Sequence, residues 1–199
     1  MTSWPAANFV DLSETADEAI GCRAFGPLSA ACYKEDSVWL ATAQSAAAAF
    51  QFQLIAHVPG PVSPAAIISY RGVQYWLGKD NAVYRFDGSR VDAVGQALPT
   101  TLVDTFDWPN RLRAHGFALA TVEGELWFVY PDVSNGKNTR AISFNLTTGA
   151  MTPHTLAHEI TAADEGAGVV AVTWNSLTGT WDTLSDTYAT WDAMGAVAT

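Results

Sequence analysis

Short apolar runs broken by turn residues dominate the chain, and three of them resemble one another. Ser37-Val-Trp39-Leu-Ala, Gln74-Tyr-Trp76-Leu-Gly and Glu125-Leu-Trp127-Phe-Val each place a Trp inside a β-prone run. The second and third are introduced by the turn-like pairs Arg71-Gly72 and Glu123-Gly124, and a fourth Trp ends Val169-Val-Ala-Val-Thr-Trp174. The Trp-to-Trp intervals are 37, 51 and 47 residues, in the range of β-propeller blades of about 40 to 50 residues. The residues after each Trp also favour strands. Gly78-Lys-Asp80-Asn81 is a tight-turn sequence leading into Val83-Tyr-Arg-Phe86, which is ended by Asp87-Gly88 and resumes at Val91. Arg140-Ala-Ile142-Ser-Phe144-Asn145 alternates with period two and ends in the turn Thr148-Gly149. The expected fold is all-β, a propeller-like array of antiparallel meander blades. Only Ala43 to Phe50, with its four consecutive alanines, favours a helical turn or two. Leu98 to Asp107 and Asp107-Trp108-Pro109-Asn110 form a connector.

A second repeat closes the chain. Thr173-Trp174-Asn175, Thr180-Trp181-Asp182 and Thr190-Trp191-Asp192 share a Thr-Trp-Asp/Asn unit that recurs every seven residues until Thr187-Tyr188-Ala189 breaks the phase. Thr and Gly in these units oppose a coiled coil and suit serial turns that present indoles. Trp174, Trp181, Tyr188 and Trp191 are therefore the candidate interface or ligand-stacking residues. Sealing a subunit contact is the preferred role, since aromatics are enriched at interface cores. Stacking on sugars is the alternative. Three segments result: a lead over 1–19, propeller-like blades over 20–165, and a last strand with the Trp-Asp tail over 166–199.

Composition narrows the function classes. The 199 residues hold 20 acids and 10 bases, and charged residues make up only 15%, against about 25% in an average domain. With 49% hydrophobic residues and eight Trp, disorder is excluded despite the net charge of −10. The ten bases are scattered, which disfavours specific nucleic-acid binding. No apolar run approaches the roughly 20 residues of a membrane-spanning helix, and Met1 to Val10 lacks the features of a signal peptide. The expectation is a soluble chain made in the cytoplasm, without membrane insertion. Cys22 and Cys32 flank the Gly26-Pro27 turn signal, where a hairpin would bring them face to face; reduced thiols are expected, and their state stays open.

Catalytic signatures are weak. His154-Thr-Leu-Ala-His158 lacks the flanking pattern of a zinc motif, follows Pro153, and reads as an exposed loop. His57 and His115 have no ligand cluster at suitable spacing. Asp132 to Asn138 has oxygen donors, but its Gly136 is misplaced for a calcium loop and Lys137 opposes a cation. No nucleophile elbow or phosphate-binding glycine loop occurs. Asp80 and Asp87 are the obvious carboxylate pair for a glycosidase, though both occupy turn positions where Asp bonds locally. Asn145-Leu-Thr147 matches a glycosylation sequon and reads as a turn. No catalytic, cofactor-binding or metal-binding residue is assigned, and the expectation is a non-enzyme.

Tyr33-Lys-Glu-Asp-Ser-Val-Trp39-Leu, His57 to Ser69, Gly72 to Gly88, Glu125-Leu-Trp127-Phe-Val-Tyr-Pro131 and the terminal Thr-Trp-Asp repeats occur in that order. Together they resemble the β-propeller portion of tailed-bacteriophage tail hub proteins, also called tail tubular, nozzle or head-completion proteins. The likeness covers most of residues 20 to 195. It implies a virion component of the tail or head-to-tail connector, serving genome ejection as part of a ring or conduit. Its partners would be further copies of itself and other tail proteins, with DNA passing transiently and without specific binding. Three to four Trp units are fewer than most closed propellers need, so the ring would be incomplete or closed by other chains. The acidic balance suggests Asp and Glu along the channel. The alternative function is a carbohydrate- or receptor-binding β module using the Trp-Asp repeats.

Overall fold

A computed structural model describes residue 12 and residues 14–44, 50–95, 104–119 and 123–162. All belong to one compact unit, Met1–Ala163. Among the described residues, twelve strands form three antiparallel four-stranded meanders. Blade 1 comprises β1 (Ala19–Gly26), β2 (Ser29–Lys34), β3 (Val38–Ala43) and β4 (Phe50–Ala56). Blade 2 comprises β5 (Ile67–Tyr70), β6 (Val73–Leu77), β7 (Val83–Phe86) and β8 (Val91–Gly95). Blade 3 comprises β9 (His115–Ala118), β10 (Glu125–Tyr130), β11 (Arg140–Asn145) and β12 (Met151–Thr155). The all-β propeller-like expectation holds. The first strands begin at residues 19, 67 and 115, a constant interval of 48. β9 contacts β5 as well as the 3₁₀ turn Pro64–Ala66, which also touches β1. First strands β5 and β9 thus meet directly, and the turn before β5 links β9 with β1.

The core lies between the blades. Blade 2 is apolar on both faces because each meets a neighbour. Toward blade 1 it presents Ile67, Trp76, Tyr84 and Phe86, packed on Ala31, Tyr33 and Val38. Trp76 stacks on Tyr84 at 5.6 Å between ring centroids and meets Tyr33 edge-on at 5.0 Å. Toward blade 3 it presents Ile68, Tyr75, Leu77 and Val83, packed on Leu126, Phe128, Tyr130, Ile142 and Phe144. Gln74 is buried between blades 1 and 2. Its Oε1 accepts from the Tyr33 hydroxyl at 2.6 Å, and its Nε2 donates to the Ala24 carbonyl at 2.8 Å.

Several local expectations are corrected. Trp76 and Trp127 both lie in second strands, but Trp39 lies in a third. Counted from the turn glycines Gly72 and Gly124, Trp76 matches Phe128 and Trp127 matches Tyr75. A one-residue offset reverses the face of a strand residue, so Trp76 is core and Trp127 is half-buried on the far side of blade 3. Of the Ala43 to Phe50 segment, expected as a helical turn or two or a packed loop, Ala43 ends β3 and Phe50 begins β4, while residues 45–49, the four alanines among them, lie outside the described ones. His154 sits in β12, stacked on Trp127 at 4.3 Å, while His158 occupies the exposed loop expected for both.

Candidate functional site

Trp174, Trp181, Tyr188 and Trp191, the candidate interface or stacking residues, lie outside the described residues. The other nominated residues have positions. Asp80 closes the β6–β7 turn, where its Oδ2 accepts from the Tyr84 hydroxyl at 2.6 Å and its Oδ1 accepts from the Ala82 backbone at 3.2 Å. Asp87 closes the β7–β8 turn through Ser89 and the Arg90 backbone. These bonds, that from the Ser89 hydroxyl above all, lower its carboxyl to about 2. The two carboxylates occupy opposite ends of β7, and its residues 83–86 alone span about 10 Å. A retaining glycosidase needs its carboxyls about 5 Å apart, and both groups are engaged in their own turns.

Asp132 is buried, accepts from Arg140 Nε at 2.6 Å, and accepts from the Ser134 backbone at 2.8 Å. Burial works against its charge, but these bonds win and hold the carboxyl below the usual range. The loop is thereby closed on itself. Among the described residues no three His, Cys, Asp or Glu side chains gather as a metal site would require.

The surfaces that stand out are sheet faces. On blade 1, Ala31, Tyr33, Val38, Leu40 and Ile55 pack toward blade 2. Alternation then turns the other set to the opposite face. Cys22, Cys32, Trp39 and Leu54 form one cross-strand row; Ala24, Ala30, Ala41 and Phe52 form a second; Ala43 and Phe50 begin a third. These rows carry no charged side chain, and Lys34, the next member of the set in β2, is buried against Asp17. An antiparallel sheet with one wet face ordinarily alternates apolar and polar positions, and β4 does so, with Gln51 and Gln53 exposed on the face opposite Phe50, Phe52 and Leu54. Trp39 and Ala41 on this face are buried, whereas at its β4 edge Phe50 is 50% exposed and Phe52 and Leu54 are half-buried.

β4 is also an edge of its sheet. It runs for seven residues, Phe-Gln-Phe-Gln-Leu-Ile-Ala, without charge or proline, the devices by which proteins normally blunt an edge. The period-two Phe50-Gln-Phe52-Gln-Leu54 pattern is the sequence signal for this strand, and the neighbouring alanines mask it. Blade 3 has a comparable far face. Phe117, Trp127 and His154 stack there in series, at 6.3 and 4.3 Å, and His154 Nε2 meets Ser143 Oγ at 2.9 Å.

A cleft of about 430 Å³ opens between blades 2 and 3, lined by Tyr70, Val73, Tyr75 and Leu146. Arg71 and Glu123 pair with each other there, and the Tyr70 hydroxyl accepts from the Gly124 backbone at 3.1 Å.

The first strands β1, β5 and β9 carry no Asp or Glu; the described carboxylates lie in turns, connections and later strands. All ten bases are among the described residues, and eight of them are ion-paired. Three pairs join different blades or their leads: Arg71 with Glu123, Lys79 with Asp36 at 2.6 Å, and Arg111 with Glu35 at 3.7 Å. Pairing within the chain occupies most of the cations that would hold phosphate. No protein-family model matches the chain, and no curated protein sequence matches it significantly.

Proposed function

We propose that this chain is a structural, ring-forming component of a phage tail or head-to-tail connector, assembling with copies of itself or with neighbouring tail proteins. The observation that carries the reading is blade 1, whose far face is built for a neighbouring blade. The three described blades are one fewer than the smallest propellers use. A further blade laid on Phe50 and Phe52, or a strand added to β4, would bury what that face leaves exposed. Passage of DNA through such a ring requires a wall that does not hold phosphate, and the paired bases meet that requirement. The tail assignment itself rests on the ordered motifs from Tyr33 to Pro131.

Particle mass measured by light scattering over a range of concentrations is the test. A defined oligomer, or a stable complex with a tail protein encoded beside this one, is the expected result. A monomer at all concentrations that binds no such protein overturns the reading. Saturable quenching of indole fluorescence by glycans, with no assembly, would replace it with the carbohydrate- or receptor-binding module.

A further inference from the structure

The two cysteines stand side by side on blade 1. Cys22 in β1 is directly opposite Cys32 in β2, and their sulfurs are 2.8 Å apart. Residues directly opposed in an antiparallel pair have Cα atoms about 4.5 or 5.5 Å apart. A disulfide spans Cα separations of about 4.4 to 6.8 Å, so the bond needs side-chain rotation alone. The two thiols also differ in access. Cys22 is exposed on an edge strand, and Cys32 is half-buried on the next strand inward. A reagent reaches one sulfur first and finds the second immediately behind it.

We propose that Cys22 and Cys32 form a reversible dithiol–disulfide couple, with Cys22 as the attacking sulfur, Cys32 as the resolving sulfur, and a low-molecular-weight disulfide of the glutathione type as oxidant. The Cys22 thiolate attacks one sulfur of the small disulfide. A bond forms to Cys22, the original S–S bond breaks, and one small thiolate leaves with its electron pair. Cys32 then gives its proton to solvent and attacks the Cys22 sulfur, expelling the second small thiolate. Two protein thiols lose two electrons, and one small disulfide becomes two thiols. The contact between the sulfurs assists the first step. Once Cys22 is deprotonated, the Cys32 thiol donates to it; this outweighs burial and holds Cys22 below the usual thiol range, while Cys32 is pushed up. The product ties edge strand β1 to β2 midway along the hairpin. The couple does not depend on the tail assignment.

The folded chain is incubated with oxidised glutathione, then analysed by thiol counting and intact mass. Both thiols should disappear together, the mass should fall by two hydrogens with no persistent adduct, and a dithiol reductant should restore them. Cys32→Ser should trap one glutathionyl group on Cys22. Cys22→Ser should react at Cys32 at least about tenfold more slowly, and denaturant should abolish that difference. A lasting mixed disulfide on the wild-type chain, a disulfide between chains, or no reaction in the folded state overturns the proposal. So do equal rates for the two folded variants; circular dichroism establishes that each is folded.

Discussion

Two ion pairs show how environment sets the worth of a single residue. Lys34 is buried, and its ammonium donates to the Leu12 carbonyl at 3.1 Å and the Thr15 hydroxyl at 2.7 Å while pairing with Asp17 at 3.2 Å. Burial of Asp17 opposes its charge, but hydrogen bonds from Thr15, the Asp36 backbone, Ser37 and Lys34 prevail and depress its carboxyl strongly. Removing one member leaves the other buried and unpaired. Lys34→Met should therefore cost about 3 kcal/mol in chemical denaturation. The Arg71–Glu123 pair has side chains 67% and 72% exposed, and Glu123→Gln should cost less than about 1 kcal/mol. Equal effects of the two substitutions would refute this reading of burial. Neither role is legible in the sequence, because a lone Lys in a β-prone run looks the same whether it faces solvent or a buried carboxylate.

At the level of elements, strands were legible where turn chemistry framed them. Val83–Phe86 lies between Asp-bearing turns and Arg140–Asn145 alternates cleanly, and both are strands with those bounds. The repeat was legible only coarsely. Tryptophan marked it at intervals of 37 and 51, whereas the first strands recur every 48 residues. An aromatic can occupy either face or any strand of a blade, so its position drifts, while a turn that needs a left-handed residue marks the start of the strand that follows it directly. Gly72 and Gly124, at φ of 76° and 77°, are such markers. Connections between blades carry a different constraint. Gly60 donates its N–H to the Glu35 carbonyl at 2.8 Å, and a Cβ there would lie 1.9 Å from the Lys34 carbonyl oxygen. Backbone on both sides leaves no flexible group to yield. Gly60→Ala should thus lower stability by about 3 kcal/mol or more. A denaturation midpoint unchanged from wild type would show that the β4–β5 connection does not pack this closely.

For the molecule as a whole, acid should act in two stages. His115 is buried, and burial lowers its pKa against a smaller opposing effect of the Arg113 carbonyl. As pH falls below the ordinary imidazole value of about 6.5, the unfolded chain takes up a proton that the folded chain resists, and stability declines. The carboxylates of Asp17 and Asp132 are depressed in the folded state. Their contribution is complete above the unfolded carboxylate value near 4 and is lost as pH falls below it. Denaturation midpoints should decline below pH 6.5 and again below about pH 4, with His115→Gln removing the first decline. A single decline in wild type would eliminate His115 as a sensor. Assembly provides the complementary experiment, because it concerns surface that the chain leaves exposed. Phe50 is half-exposed on β4, so Phe50→Asp should change the stability of the single chain by no more than about 0.5 kcal/mol. If that face meets a neighbouring blade, the same change removes an aromatic anchor worth about 2 kcal/mol, which weakens association about 30-fold. Leu112 is 66% exposed on the 3₁₀ segment Trp108–Arg113, remote in sequence from β4, and Leu112→Asp serves as the control. Sedimentation should show Phe50→Asp dissociating at concentrations where wild type and Leu112→Asp remain assembled. Equal association by all three would remove the far face of blade 1 from the interface and with it the main support for a ring.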